Sequence, residues 1–134
     1  MDTMPGESNL EVLLQSLKPK LNEGNYVFIS LPEIGHISRA DILFEFKEAE
    51  GITIILTKEK AAHYKLAYEF IASWITLTVH SALDAVGLTA AVANALTKHN
   101  ISCNVVAAFY HDHIFVSTKD ATKAMSILQE FSNK

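Results

Sequence analysis

The residues of this sequence best placed to do chemistry lie in one short stretch, His80-Ser81-Ala82-Leu83-Asp84-Ala85-Val86-Gly87-Leu88. It follows the strong strand pattern Trp74-Ile75-Thr76-Leu77-Thr78-Val79 and runs into a helix pattern at Leu88, Ala91, Val92, Ala95 and Leu96. A turn that opens a helix presents unpaired backbone N–H groups, and the helix dipole adds positive character there, so an anion such as a carboxylate is favoured. Asp84 could pair with an ammonium, and Gly87 allows backbone to approach a ligand closely. The same residues also have a purely structural reading, in which Ser81 or Asp84 caps the helix and Gly87 makes the turn.

Other reactive side chains are more scattered. Leu31-Pro32-Glu33-Ile34-Gly35-His36 occupies the corresponding place in the first half of the chain, and Glu33 there reads as a solvated acid or as a partner for an ammonium. His111-Asp112-His113 sets two imidazoles at i and i+2, half of a metal site with His80 as a distant third ligand. The repeat places these residues in a hairpin turn, where polar residues are expected without a metal, and no metal is assigned. Cys103, between Ser102 and Asn104, has no helix N-terminus to activate it and reads as a structural thiol. Trp74 and Phe109 read as core or interface anchors. No Gly-rich phosphate loop, Ser-His-Asp pattern or paired carboxylates stand out, so no enzyme activity and no cofactor are expected.

The elements that must position these residues follow from periodicity. Ser8 with Glu11 has capping-box spacing, and Leu10, Leu13, Leu14 and Leu17 form a helical stripe, with Pro19 and Gly24 bracketing its end. Tyr26–Leu31 reads as a strand, and 32–39 as a linker. Ile42–Phe46 and Ile52–Leu56 read as a hairpin about residues 48–51, followed by a helix capped by Thr57. A weaker strand is expected over Tyr68–Ala72. Asn100 suits a left-handed helix end, Val105–Tyr110 and Ile114–Val116 form a second hairpin, and Thr118 caps a last helix with Ala121, Ala124, Met125, Leu128 and Phe131 buried.

The chain repeats itself. Ile54-Ile55-Leu56-Thr57-Lys58-Glu59 matches Phe115-Val116-Ser117-Thr118-Lys119-Asp120, 61 positions on from Thr57 to Thr118. Tyr26–Leu31 matches Trp74–Val79, 48 positions on from Tyr26 to Trp74. The difference of 13 between those shifts is about one helix, so the first half has lost most of a helix where residues 32–39 stand. Each half reads β-α-β-β-α-β. The second half stops after its last helix, so its fourth strand must come from the first half or from another subunit.

The stretch from Trp74 to Ala90 resembles the first strand, ligand loop and first helix of an ACT domain. Ile101–Val105 and His111–Val116 resemble that domain's second and third strands, and Glu50-Gly51-Ile52-Thr53 is similar to the same stretch in small bacterial tandem-ACT proteins. The resemblance covers about Leu10 to Phe131. It implies an α+β chain of two ferredoxin-like βαββαβ modules with mainly antiparallel sheets and strand exchange. The expected division is a disordered tail at 1–7, one module at 8–72 and a second at 73–134. It further implies a small-molecule ligand, an amino acid, bound in a regulatory module. The candidate ligand-binding residues are then His80, Ser81, Leu83, Asp84, Val86, Gly87 and Leu88, with Glu33 and Ile34 from the first half. A regulated protein partner and a homodimer or higher homo-oligomer are expected. A ligand-free interaction module is the alternative.

Composition is compatible with this. At 134 residues, 49% hydrophobic and 19% charged, the chain is globular rather than disordered, and a chain of this size buries roughly two thirds of its unfolded surface. A single cysteine excludes an internal disulfide framework and fits a reducing, cytoplasmic setting. A net charge of −4 without a Lys/Arg stripe argues against nucleic acid. The N-terminus has no signal-peptide pattern, and no apolar run nears the roughly 20 residues of a membrane span.

Overall fold

In the computed structural model of the chain, residues 9–79 and 86–133 are described. They form the elements α1 (Leu10–Ser16), β1 (Lys18–Leu21), β2 (Tyr26–Leu31), β3 (Phe44–Lys47), β4 (Ile52–Thr57), α2 (Lys58–His63), β5 (Ile71–Thr78), α3 (Leu88–Thr97), β6 (Asn104–Ala107), β7 (Asp112–Ser117) and α4 (Ala121–Gln129). Contacts divide the chain into two units, one of residues 23–73 and the other of residues 1–22 together with 74–134. Both are ferredoxin-like: one runs β2-β3-β4-α2-β5 with a 3₁₀ turn in place of the first helix, and the other runs β5-α3-β6-β7-α4 with β1 added as its fourth strand.

The unit of residues 23–73 has strand order β3-β4-β2-β5, and β5 enters it through Ile71 and Ala72, paired with Val27 and Tyr26. The β3–β4 hairpin closes where Glu48 N–H donates to the Gly51 carbonyl at 2.9 Å. A Cβ on Gly51 would stand 2.9 Å from the Leu31 carbonyl oxygen, so glycine is required there by the close passage of β2. Thr57 caps α2 by accepting from Lys60 N–H, as its position in the repeat suggests. Residues 32–38 are loop and 39–41 a single 3₁₀ turn, as expected of a degenerate first helix. Tyr64 holds that loop: its hydroxyl donates to Asp41 at 2.5 Å and accepts from Ser38 N–H at 3.3 Å. The core is Val27, Ile29, Ile37, Ile54, Leu56 and Ala61.

The other unit has strand order β1-β5-β7-β6. Its fourth strand is β1, from the start of the chain, running antiparallel to β5 from Lys18 opposite Thr78 to Leu21 opposite Ile75. The strand expected from elsewhere is therefore supplied by this chain's own N-terminal segment. Leu13 and Leu17 bring α1 into the same core, with Ile75, Leu77, Leu88, Val92, Leu96, Ile114, Val116 and Leu128. Each of the two leucines is fully buried, worth about 1.5–3 kcal/mol of transfer energy.

Residues 9–22 pack with residues 74–133, because Leu13 and Leu17 fill that core. Several local expectations need correction. Pro19 does not end α1; it sits inside β1, which among the described residues pairs only with β5, and such an edge strand is where a sheet tolerates proline. Asn9, not Ser8, is the N-cap of α1, accepting from Val12 N–H at 3.3 Å, and Ser8 lies outside the described residues. The two strands expected at 68–72 and 74–79 are one strand, β5, divided between the units. Thr118 does not cap α4 directly, because a 3₁₀ turn at Thr118–Asp120 precedes the helix. Asn100 takes the left-handed conformation, with φ 61°, as its place at a helix end suggests.

Candidate functional site

The site begins at the N-terminus of α3. Gly87 is its N-cap residue, with φ 98° in the left-handed region, and its carbonyl accepts from Ala91 N–H at 2.9 Å. Only glycine adopts that conformation without strain. No side chain caps the helix from Gly87, and no acidic residue occupies the first turn of α3. The positive end of this helix is therefore not neutralised by its own first turn. Leu88 is buried in the core, whereas Val86 is 82% exposed, so the chain passes from solvent to interior within three residues.

One residue beside this turn was not anticipated. A Cβ on Gly87 would come within 3.2 Å of Leu10 Cδ2, so the first residue of α1 packs against the turn that opens α3. The helical leucine stripe signalled that Leu10 faces apolar material. Nothing in the sequence says that this material is Gly87.

Of the sequence-derived candidates, Val86, Gly87 and Leu88 stand together at this turn, while His80, Ser81, Leu83 and Asp84 lie outside the described residues. Glu33 and Ile34 belong to the unit of residues 23–73. Glu33 is exposed on the loop after β2, and half-buried Ile34 packs against the core there while its carbonyl accepts from Ile37 N–H at 3.3 Å.

The other reactive groups have definite surroundings. Half-buried His113 lies on β7, and its Nδ1 accepts from the Trp74 indole N–H at 3.0 Å. Burial, and then the neighbouring His111, hold its pKa below the usual histidine value, with Asp112 opposing. Burial raises the Asp112 carboxyl, against the pull of His113 and His111. Among the described residues, no group of three His, Cys, Asp or Glu is arranged to hold a metal. Burial pushes the Cys103 thiol up to about 11, which makes it a poor nucleophile near neutral pH.

Comparison with known families decides what kind of module carries this turn. The ACT domain model matches residues 5–73, and a second ACT domain model matches residues 69–130. The chain belongs to the ACT domain family. It carries two ACT domains in tandem, and the turn before α3 stands in the second of them. Among solved structures, a Vibrio cholerae protein described as of unknown function and a possible transport protein is 46% identical, with a TM-score of 0.83, over 92% of this chain and 95% of that one. An Agrobacterium tumefaciens protein shares 19% identity at a TM-score of 0.71, over 87% of this chain and 89% of that one. The structure of aspartokinase alpha and beta subunits shares 10% identity at a TM-score of 0.62, over 87% of this chain and 97% of that one. The last two likenesses are of the ACT fold. No protein of curated function matches the chain. No helix among the described residues is long and apolar enough to cross a membrane.

Proposed function

We propose that this tandem-ACT protein is a sensor, without catalysis of its own, that binds an amino acid and passes the event to a protein partner or to its own assembly in the cytoplasm. The observation that carries the reading is the turn at Gly87, a left-handed, glycine-opened start to a ten-residue helix with no acid in its first turn. The backbone at Val86 to Leu88 takes the ligand carboxylate, and Asp84 takes its ammonium. Membership of the ACT family supports a small-molecule regulatory role, since modules of this family commonly serve that purpose.

The experiment is a thermal-shift screen of the pure protein against the twenty amino acids at millimolar concentration. A ligand at 100 times its dissociation constant adds about 2.7 kcal/mol to the folded state. A raised Tm with one amino acid or a few related ones, lost in Asp84→Ala, is the expected result. No shift with any of them overturns the amino-acid reading.

A second reading has its own observation. Phe109 and Tyr110 meet edge-to-face, with ring centroids 5.1 Å apart, at the β6–β7 turn and are 71% and 75% exposed. Exposed paired aromatics at a hairpin tip suit a contact between proteins. Sedimentation at micromolar concentration tests self-association through them. A dimer lost in a Phe109→Ser, Tyr110→Ser double variant supports the interaction module, and a strict monomer sinks it.

A further inference from the structure

Alternation along β5 and β7 sends Ile75, Leu77, Ile114 and Val116 into the core and turns Trp74, Thr76, His113 and Phe115 to the opposite face. On that face one nitrogen meets two partners. Trp74 Nε1 lies 3.0 Å from His113 Nδ1, and Thr76 Oγ1 lies 3.1 Å from the same Nδ1. The indole is tilted against the imidazole at a centroid distance of 5.7 Å and stacks on Phe115 at 6.4 Å. Asn22 ties β1 into the cluster: its Nδ2 donates to Thr76 Oγ1 at 2.9 Å and to the Trp74 carbonyl at 3.2 Å, and its backbone N–H donates to the same carbonyl at 2.9 Å.

The two partners of Nδ1 differ in kind. An indole N–H can only donate, whereas a hydroxyl donates or accepts. The Trp74 bond therefore requires Nδ1 to carry its lone pair, which puts the proton of the neutral ring on Nε2. When the ring takes a second proton, Nδ1 becomes a donor. Trp74 then cannot bond to it, but Thr76 Oγ1 can. We propose that His113 is a proton-operated switch: the neutral ring holds the Trp74 indole, and the protonated ring gives its Nδ1–H to Thr76 and lets the indole go.

The surroundings set the direction in which the switch works. His111 and Asp112 are the titratable groups beside His113 on its own hairpin. The β5 neighbours of Trp74 and Thr76, namely Ser73, Ile75 and Leu77, carry no charge, and β6, from Asn104 to Ala107, carries none either. On β1, Lys20 stands opposite Thr76 and Lys18 opposite Thr78, so the charges added from that strand are positive. Half-burial, and then the neighbouring His111, disfavour the imidazolium against the opposing pull of Asp112, so the indole is held at neutral pH and released only below the ordinary histidine value of about 6.5. Release acts where the end of β1 is bonded to the Trp74 carbonyl, which links acidification to the hold on the N-terminal strand. The inference does not depend on an amino-acid ligand.

Trp74 is the single tryptophan of the chain, so its emission reads the switch directly. The unaltered protein is titrated from pH 8 to pH 4.5, with far-ultraviolet circular dichroism confirming that it stays folded. The histidine ring nitrogens are followed by long-range nitrogen-15 spectra. The expected result is a neutral His113 protonated on Nε2 at pH 7.5, and a Trp74 emission change whose midpoint lies below that of an ordinary histidine. That change is expected to persist in His111→Gln and vanish in His113→Gln. Thr76→Val removes the acceptor of the protonated state and is expected to move the midpoint lower still. A proton on Nδ1 at pH 7.5 overturns the proposal, as does an emission transition that survives His113→Gln or a midpoint unmoved in Thr76→Val. If His113→Gln does not fold, the ring-nitrogen spectra of the unaltered protein decide alone.

Discussion

The side-chain amide of Asn22 donates to the Thr76 hydroxyl at 2.9 Å, joining residues 54 positions apart in the chain. This bond closes the end of the β1–β5 ladder in which Lys20 faces Thr76 and Pro19 faces Leu77. It marks the N-terminal segment as the fourth strand of the second ACT module. An edge that would otherwise offer unpaired N–H and C=O groups is thereby covered within the chain.

The core behind that strand gives a direct test. Leu17→Ala removes a fully buried side chain that follows α1 but lies among Ile75, Leu77 and Leu128. The expected cost is about 2–5 kcal/mol, read from urea denaturation. Hydrogen exchange should show the loss in β5 and β7 rather than in β2 and β4. A cost below about 1 kcal/mol would mean that the N-terminal segment is not part of this core.

Gly51 gives a second test, in the other unit. An alanine there sets its methyl 2.9 Å from the Leu31 carbonyl oxygen and 3.2 Å from Ser30 Oγ. Backbone cannot yield as a side-chain tip can, so Gly51→Ala is expected to cost about 1–3 kcal/mol by the same urea measurement. At Gly35 a Cβ meets nothing within 4 Å, so Gly35→Asn, which tolerates the left-handed φ of 61°, is expected to be nearly neutral. Equal losses at both positions would refute the steric account.

Acid should loosen the loop that stands in place of the first helix. The Tyr64 hydroxyl, and then Lys60 and His63, hold the Asp41 carboxyl below its ordinary value despite some desolvation. A depressed carboxylate contributes stability above its unfolded pKa and loses it as pH falls through the folded one. Tyr64→Phe removes the largest cause, so its folded value rises toward the unfolded one. The urea midpoint of the variant should therefore fall less steeply than that of the unaltered protein below about pH 4. Parallel acid limbs for the two proteins would rule out this role for Tyr64.

Cys103 offers a kinetic check on burial. Its thiol is pushed from 9.0 to about 11, so the thiolate fraction near pH 8 falls by about 100-fold. Because a more basic thiolate is also the stronger nucleophile, a disulfide reagent should modify the native protein about 10-fold more slowly than the urea-unfolded chain. Similar rates in the two states would show that the thiol is not shielded as the fold places it.

Much of the architecture was legible because it rests on local patterns. β-Branched runs at Tyr26–Leu31 and Ile52–Leu56 form strands wherever an apolar face is available, and Thr57 caps α2 through atoms three residues apart. The repeat carried the same local signals into the second half. Lys18-Pro19-Lys20-Leu21 carried no such signal, since a proline between two lysines reads as a stop. Its strand exists only because β5 offers an open edge and Leu13 and Leu17 anchor the chain beside it.

The sequence by itself determined the βαββαβ pattern of both modules, with a helix lost from the first, because periodicity and capping act over a few residues, while the ACT family was legible only through the resemblance of the stretch from Trp74 to Ala90. The tertiary structure alone decided which segment completes the second module. It also decided that Leu10 meets Gly87 and that Trp74, Thr76, His113 and Asn22 share one hydrogen-bonded cluster. The physical reason is register. Partners drawn from distant strands are chosen by how whole ladders align to bury a common core, and no local residue pattern records that alignment.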